Sequence, residues 1–165
     1  TETLGDLYGM HWPYKQHKTS RNQKLFPYHE ELKKAGACFG VSSGYERPMW
    51  FALDNKKSEF DYSYNYQNWY PAVEFETKNA RKNVGLFDLT AFSKYDLKGQ
   101  NVHSELQKIC TANIKDGIGK TTYTQMLNEQ GGIEADLTIT CMSKNYFRIV
   151  SGSTVREHDK QHIHV

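Results

Sequence analysis

The chain has 165 residues, a formal net charge of +2 and 38% hydrophobic residues. That length excludes a dinucleotide-binding domain joined to a second substrate domain, and so mild a charge gives no argument for nucleic acid by itself. The longest purely apolar run, residues 49–53, falls far short of the about 20 that a membrane-spanning helix needs. The first residues, Thr-Glu-Thr-Leu-Gly-Asp, show neither the basic start nor the apolar stretch of a signal peptide. With 11 Tyr, 8 Phe and 3 Trp, the expected core leans on large rings. Cys38, Cys110 and Cys141 are odd in number, far apart and without a CxxC pair, which reads as small residues of a reduced compartment.

Residues 1–25 are polar and basic, with Lys15, His17, Lys18, Arg21 and Lys24 close together. They read as a solvated connector leaving a preceding domain, a patch for phosphate or an acidic partner being the alternative. Pro27 opens a short predicted helix over 28–35, closed by Gly36. A strand is predicted over 37–41 and another over 49–53, with turns at Ser43-Gly44 and Arg47-Pro48. Residues 54–68 form a long polar loop whose rings, Tyr62, Tyr64 and Tyr66, lead to Trp69. It reads as an insertion packed on its own domain, with an aromatic binding platform as the other possibility. A helix over 74–84 would place Phe75, Ala80 and Val84 on one stripe before Gly85, and 86–89 would follow as a buried turn or short strand.

A strand over 92–97 ends at Lys98-Gly99. Val102, Leu106 and Ile109 then mark an amphipathic helix that Asn101 can cap. Three strands follow, over 121–127, 133–142 and 146–150, separated by turns at 128–132 and 143–145. Ser153 or Thr154 caps a last helix, on which Val155, Asp159 and Ile163 recur at helical spacing. It meets no Gly, Asn or Pro before residue 165, so the expectation is a fragment cut inside a helix. The fold class predicted is α+β with a mostly antiparallel sheet.

Gly117-Ile118-Gly119-Lys120-Thr121 has the tail of a phosphate loop, but Ile114 stands where the first glycine belongs, so nucleotide binding is not expected. His158, His162 and His164 share the last helix, and two histidines at i, i+4 can hold a metal. No Cys or second His pair completes a site nearby, so they read as exposed helix histidines. The hairpin at Gly131-Gly132 is more informative. Period-2 alternation puts Ile133, Ala135 and Leu137 on one face and Glu134 and Asp136 on the other, with Tyr123 across the ladder. Such acids can hold a cationic or NH-bearing ligand, or can simply face solvent. Spacing leaves both open.

The run from Gly85 to Leu89 (GLFDL), together with Tyr123 to Leu137 (YTQMLNEQGGIEADL), resembles the aminomethyltransferase or T-protein family of the glycine cleavage system. Leu4–His11 (LGDLYGMH), Gly36–Gly40 (GACFG), Gly44–Pro48 (GYERP) and Asn68–Pro71 (NWYP) are similar to the dimethylglycine and sarcosine dehydrogenases, in which an FAD domain precedes a folate module of that type. The resemblance implies that residues 1–35 are the exit from such a flavoprotein's central domain, and that 36–165 are the N-terminal part of the folate-binding fold. It implies an N-methyl amine as substrate, tetrahydrofolate as cofactor here and FAD in the upstream domain, and neither nucleic acid nor membrane as partner. Its setting would be the bacterial cytoplasm or the mitochondrial matrix. Asp136 stands at the family's active-site aspartate, and Tyr123, Asp136, Phe92 and Thr138 are the implied folate-binding residues. Phe92 replaces a methionine of the glycine-cleavage members, and Ala135 replaces the first Asp of their usual pair. The same resemblance admits a stand-alone folate-dependent aminomethyl- or methyltransferase, or a folate-binding module of RNA-modifying machinery.

Overall fold

Ser43 and Gly44 both take left-handed backbone, with φ of 54° and 80°. The two-residue turn they make folds β1 (Ala37–Ser42) against β2 (Tyr45–Phe51) as an antiparallel hairpin. This is a computed structural model; it describes residues 2–12, 15–54 and 56–163, which fall into two compact units, Thr1–Asp88 and Leu89–Val165.

In the first unit a five-residue helix α1 (Glu2–Asp6) and a short α2 (His29–Lys34) precede the hairpin. Gly36, with φ of 86°, turns the chain from α2 into β1. The expected turn at Arg47-Pro48 is not there, because both residues lie inside β2. Phe39 pairs with Pro48 and Cys38 with Trp50, so Met49 is the extra residue of a bulge. In a two-stranded sheet both strands are edges, and an edge strand beside a bulge accommodates a proline that donates no ladder bond.

Cys38, Trp50 and Ala72 form the buried cluster of this unit, with Phe60 and Trp69 packed against it. The ring-rich loop lies back on its own unit. Phe60 stacks on Tyr62 at 5.6 Å and meets Trp50 edge-on at 6.2 Å, and the Tyr62 hydroxyl accepts the Gln16 N–H at 2.8 Å. Helix α3 (Tyr70–Lys82) starts one turn earlier than expected, with Pro71 in its first turn. Its packed side is Ala72, Val73 and Glu76, the last accepting the Phe51 N–H at 3.0 Å, whereas Phe75, Ala80 and Val84 are exposed. The expected apolar stripe is therefore not the one that faces the hairpin. The buried turn expected at 86–89 is also absent: Leu86, Phe87 and Leu89 are exposed and no strand runs beside them among the described residues. The basic stretch is largely tied inward, with Lys15 on Asp6, Arg21 on Glu46 and Lys24 over the Tyr45 ring.

The second unit is a four-stranded antiparallel sheet in the order β3-β6-β5-β4, formed by β3 (Ser93–Lys98), β4 (Thr121–Leu127), β5 (Ile133–Ser143) and β6 (Tyr146–Ser151). Inward positions alternate along each strand, so Met126, Leu137, Ile139, Cys141, Phe147 and Ile149 share one buried face. Leu106 of α4 (Val102–Ile109) and Ile114 of the following loop pack on that face. Asn101 precedes α4 without a side-chain cap; Ser104 Oγ instead donates to the Asn101 carbonyl at 2.8 Å. Helix α5 (Arg156–Ile163) closes the described chain and buries Asp159.

Candidate active site on the open face of the sheet

The alternation that buries Leu137 and Ile139 turns Asp136, Thr138 and Thr140 to the opposite face. The register then decides their neighbours. Tyr123 pairs with Thr138, and Gln125 pairs with Asp136. Gln125 Nε2 donates to Asp136 Oδ1 at 3.4 Å. A side-chain hydrogen bond from the Tyr123 phenol to the Asp136 carboxylate raises the phenol's pKa, because it holds the phenol's proton, and the neighbouring negative charge adds to the effect. The Tyr123 side chain remains 62% exposed, so its ring is open to a ligand. Three of the four implied folate residues, Tyr123, Asp136 and Thr138, thus share one small area.

Phe92 does not join them. It precedes β3, which lies beyond β6 from β5, and two strand spacings amount to about 10 Å. Its ring is exposed, as a contact residue's would be, but toward the β3 edge of the sheet. Further along the same face, in the row of Thr140, Arg148 reaches the Asp96 carboxylate through Nε and Nη2 at 2.8 and 3.1 Å and donates to the Tyr146 hydroxyl at 2.8 Å. This pair holds the Asp96 carboxyl down at about 2.

Sequence reasoning missed Gln125 and Thr111. Gln125 sits two residues after Tyr123, so the same alternation that pointed to Tyr123 could have found it. Thr111 gave no local signal. The loop after α4 carries it to the sheet, where its N–H donates to the Gln125 carbonyl at 2.9 Å.

The hairpin before Asp136 departs from simple alternation. Leu127 pairs with Ile133 and Met126 with Ala135, which leaves Glu134 as an extra, bulged residue. The bulge reverses the side on which Ile133 falls, and Ile133 is 69% exposed rather than inward as expected. Gly131 takes a φ of 80° at the tip, while Asn128 Oδ1 accepts the N–H groups of Gln130 and Gly132 at 3.1 and 2.8 Å. The Asn128 amide also donates to Glu134 at 2.7 Å, and the His158 ring approaches the same carboxylate at 3.0 Å. These contacts, Asn128 first, hold the Glu134 pKa below its usual value. Glu134 is thus a clasp for the turn, and Asp136 alone faces outward as the candidate reactive acid.

His162 is half-buried, and His164 lies outside the described residues. No group of three or more metal-ligating side chains comes together among the described residues. In the Gly117–Lys120 turn the Gly119 N–H donates to the Cys141 carbonyl at 2.7 Å and the Lys120 N–H to Gly117 at 2.9 Å, so these amides serve the chain's own carbonyls. Cavities of about 570 and 660 Å³ lie in the first unit and one of about 620 Å³ in the second, and none of the three is lined by Tyr123 or Asp136. No helix among the described residues is long and apolar enough to cross a membrane.

An antiparallel sheet with helices on one face and an acid, a phenol and a hydroxyl gathered on the other defines an α+β domain with a polar open face. Residues 28–165 match the GCVT N-terminal domain model, and the chain belongs to that family. Among solved structures it is similar to the glycine cleavage system aminomethyltransferase T from Bartonella henselae, with a TM-score of 0.69 and 25% identity over 86% of this chain and 34% of that one. Among curated proteins it is 40% identical to the 4-methylaminobutanoate oxidase (formaldehyde-forming) of Paenarthrobacter nicotinovorans, over 94% of this chain and 19% of that protein. It is 32% identical to the mitochondrial dimethylglycine dehydrogenase of Rattus norvegicus, over 78% of this chain and 15% of that protein. The chain therefore spans less than a fifth of the length of these two relatives.

Proposed function

We propose that this chain is the tetrahydrofolate-binding part of a flavin-linked enzyme that oxidatively demethylates an N-methyl amine such as dimethylglycine or sarcosine. In this reading residues 1–35 leave the preceding flavoprotein domain and 36–165 begin the folate domain. The setting is a bacterial cytoplasm or a mitochondrial matrix. The observation that carries it is the outward carboxylate of Asp136 beside Tyr123 and Thr138, in a chain similar over nearly its whole length to a demethylating oxidase.

The donor set suits the cofactor. Tyr123 offers an exposed ring to stack on, Thr138 a hydroxyl that both donates and accepts, and Asp136 an acceptor for N–H groups. Tetrahydrofolate, when bound, supplies the amine nitrogens that take up the one-carbon unit. Asp136 accepts a hydrogen bond from an N–H at that centre and offsets the positive charge that develops next to it. Tyr123 covers one side and limits access of water. No residue of this chain is assigned to the flavin.

The test is turnover of dimethylglycine and sarcosine by the intact enzyme, with and without tetrahydrofolate. Asp136→Ala is expected to cut the yield of 5,10-methylenetetrahydrofolate at least about a hundredfold, the loss typical of a missing electrostatic or proton-transfer group, and to leave amine oxidation running with release of formaldehyde. An unchanged folate product would sink the reading.

A further inference from the structure

Thr111 belongs to no strand, yet it is tied along the outer edge of β4. Cys110 bridges to Met126, and the Thr111 N–H donates to the Gln125 carbonyl at 2.9 Å. This brings the Thr111 hydroxyl to both ends of Gln125. The Gln125 backbone N–H donates to Thr111 Oγ1 at 3.4 Å, and Thr111 Oγ1 donates to Gln125 Oε1 at 3.3 Å. At its other end the same side-chain amide donates from Nε2 to Asp136 Oδ1 at 3.4 Å.

The direction of this chain follows from chemistry. An ionised carboxylate offers acceptors and no donor, so the amide must turn its NH2 toward Asp136. That leaves Oε1 for Thr111, whose hydroxyl must then donate. The Gln125 backbone N–H takes a lone pair of the hydroxyl oxygen, which steers the hydroxyl proton the same way. Thr124 Oγ1 lies 3.3 Å from Thr111 Oγ1 and completes its surroundings. The contacts are at the long end of the hydrogen-bond range, so they orient the carboxylate while leaving it available.

We infer that Gln125, fixed by Thr111, is a positioning residue that sets the rotation of the Asp136 carboxylate on the open face of the sheet. Neither residue touches the reacting atoms in this scheme; both act through Asp136. The inference rests on the reading of Asp136 as the group that serves one-carbon transfer.

The experiment uses the intact enzyme with Gln125→Leu, Thr111→Val, Thr111→Ser, the Thr111→Val/Gln125→Leu pair, and Asp136→Ala as reference. Gln125→Leu and Thr111→Val should each lower kcat for methylenetetrahydrofolate formation about three- to tenfold, the equivalent of one net hydrogen bond, with folate Kd nearly unchanged. Thr111→Ser, which keeps the hydroxyl, should restore the rate. The double variant should be no slower than Gln125→Leu alone, because Thr111 works through Gln125. A readout free of turnover is the titration of the Tyr123 phenol in the substrate-free protein, followed by NMR of ring-labelled tyrosine and assigned with Tyr123→Phe. Asp136 raises that phenol's pKa and a hydrogen bond from the Gln125 amide to the phenol lowers it, so Gln125→Leu should move it up by losing that bond and Asp136→Asn should bring it down; Thr111→Val, which keeps the Gln125 amide but frees it, should move it up only if Thr111 holds the amide in place. Wild-type kcat and an unmoved Tyr123 titration in Gln125→Leu, beside an inactive Asp136→Ala, would overturn the positioning role and leave the folate reading standing. Full folate product from Asp136→Ala would remove both.

Discussion

His158 Nε2 stands 3.0 Å from Glu134 Oε2 and so fastens α5 to the bulge at the head of β5, while its Nδ1 lies 3.3 Å from Asp159 Oδ1. Asp159 first, then Glu134, raise the His158 pKa above its ordinary value of 6.5. A group raised on folding contributes stability that is complete below its unfolded pKa and fades as pH climbs through the native value. The thermal midpoint of the protein, minus that of His158→Phe, should therefore be largest below pH 6.5 and shrink above it. Glu134 is lowered from 4.5, so its own contribution is present above that pH and is lost in acid. Both act together between about pH 4.5 and 6.5. Parallel midpoint curves for wild type and His158→Phe across pH 5–9 would contradict the clasp.

Arg21 and Glu46 make the most buried ion pair among the described residues of the first unit. Arg21 Nε and Nη2 reach the two Glu46 oxygens at 2.7 and 2.6 Å, and the Asn22 N–H adds a bond at 2.8 Å. Glu46 is only 2% exposed, and Arg21 holds its carboxyl below the usual range. Arg21→Ala should cost about 3 kcal/mol in denaturant unfolding, the low end for breaking a buried pair, since Arg21 keeps 28% of its side chain exposed. Arg21→Lys should recover part of this, because a point charge cannot match the fork. A loss below about 0.5 kcal/mol, the level of a surface pair, would show that Glu46 is not held this way.

The two glycines of the β4–β5 turn should fail for different reasons. A Cβ at Gly131 meets nothing within 4 Å, so Gly131→Ala carries only the backbone cost of a φ of 80°, about 1–2 kcal/mol. A Cβ at Gly132 would come 2.9 Å from the Asn128 amide, so Gly132→Ala pushes that amide off Glu134. Amide hydrogen exchange separates the two. Gly132→Ala should speed exchange at Gln130 and at residue 132, whose N–H groups Asn128 accepts, and Gly131→Asn should be the mildest change, as Asn tolerates this backbone. Equal acceleration in all variants would refute the distinction.

Cys38 and Cys110 should resist thiol reagents in the native protein. Burial pushes both thiols up to about 11, and Cys38 is 2% exposed. At pH 8 the thiolate that attacks such reagents is scarce at both positions. Labelling with a disulfide reagent followed by peptide mapping should find them modified only after denaturation; rapid native labelling of Cys38 would mean that the first-unit core opens readily.

Strands 121–127 and 133–143 were legible because their alternation is strong and turn residues bound them. Asp136 and Tyr123 fell on the outer face for the same reason. Pro48 concealed β2, since a proline reads as a break and nothing local announces a bulge that accommodates it. The Phe75, Ala80 and Val84 stripe misled because α3 ends at Lys82, before Val84, and the hairpin packs on Ala72 and Val73 and bonds Glu76 instead. Ile133 misled through the bulge at Glu134, and Thr111 was invisible because its place is set by a pairing with β4 fourteen residues on. What sequence withheld were the contacts made by chain reversals, where neither helical nor strand periodicity applies.

Strand β5 carries a second extra residue, Met142, where Cys141 pairs with Phe147 and Ser143 with Tyr146. The regular stretch that holds Asp136 and Thr138 is thus bracketed by a bulge at either end. Each bulge is slack. Loss of one residue near the hairpin tip can be absorbed by straightening the first, and loss near the 143–145 turn by straightening the second, with the middle of the strand staying in register. Without that slack a single insertion or deletion would rotate the whole strand and carry Asp136 into the hydrophobic interior. Either turn can therefore lose a residue while the carboxylate keeps its side of the sheet.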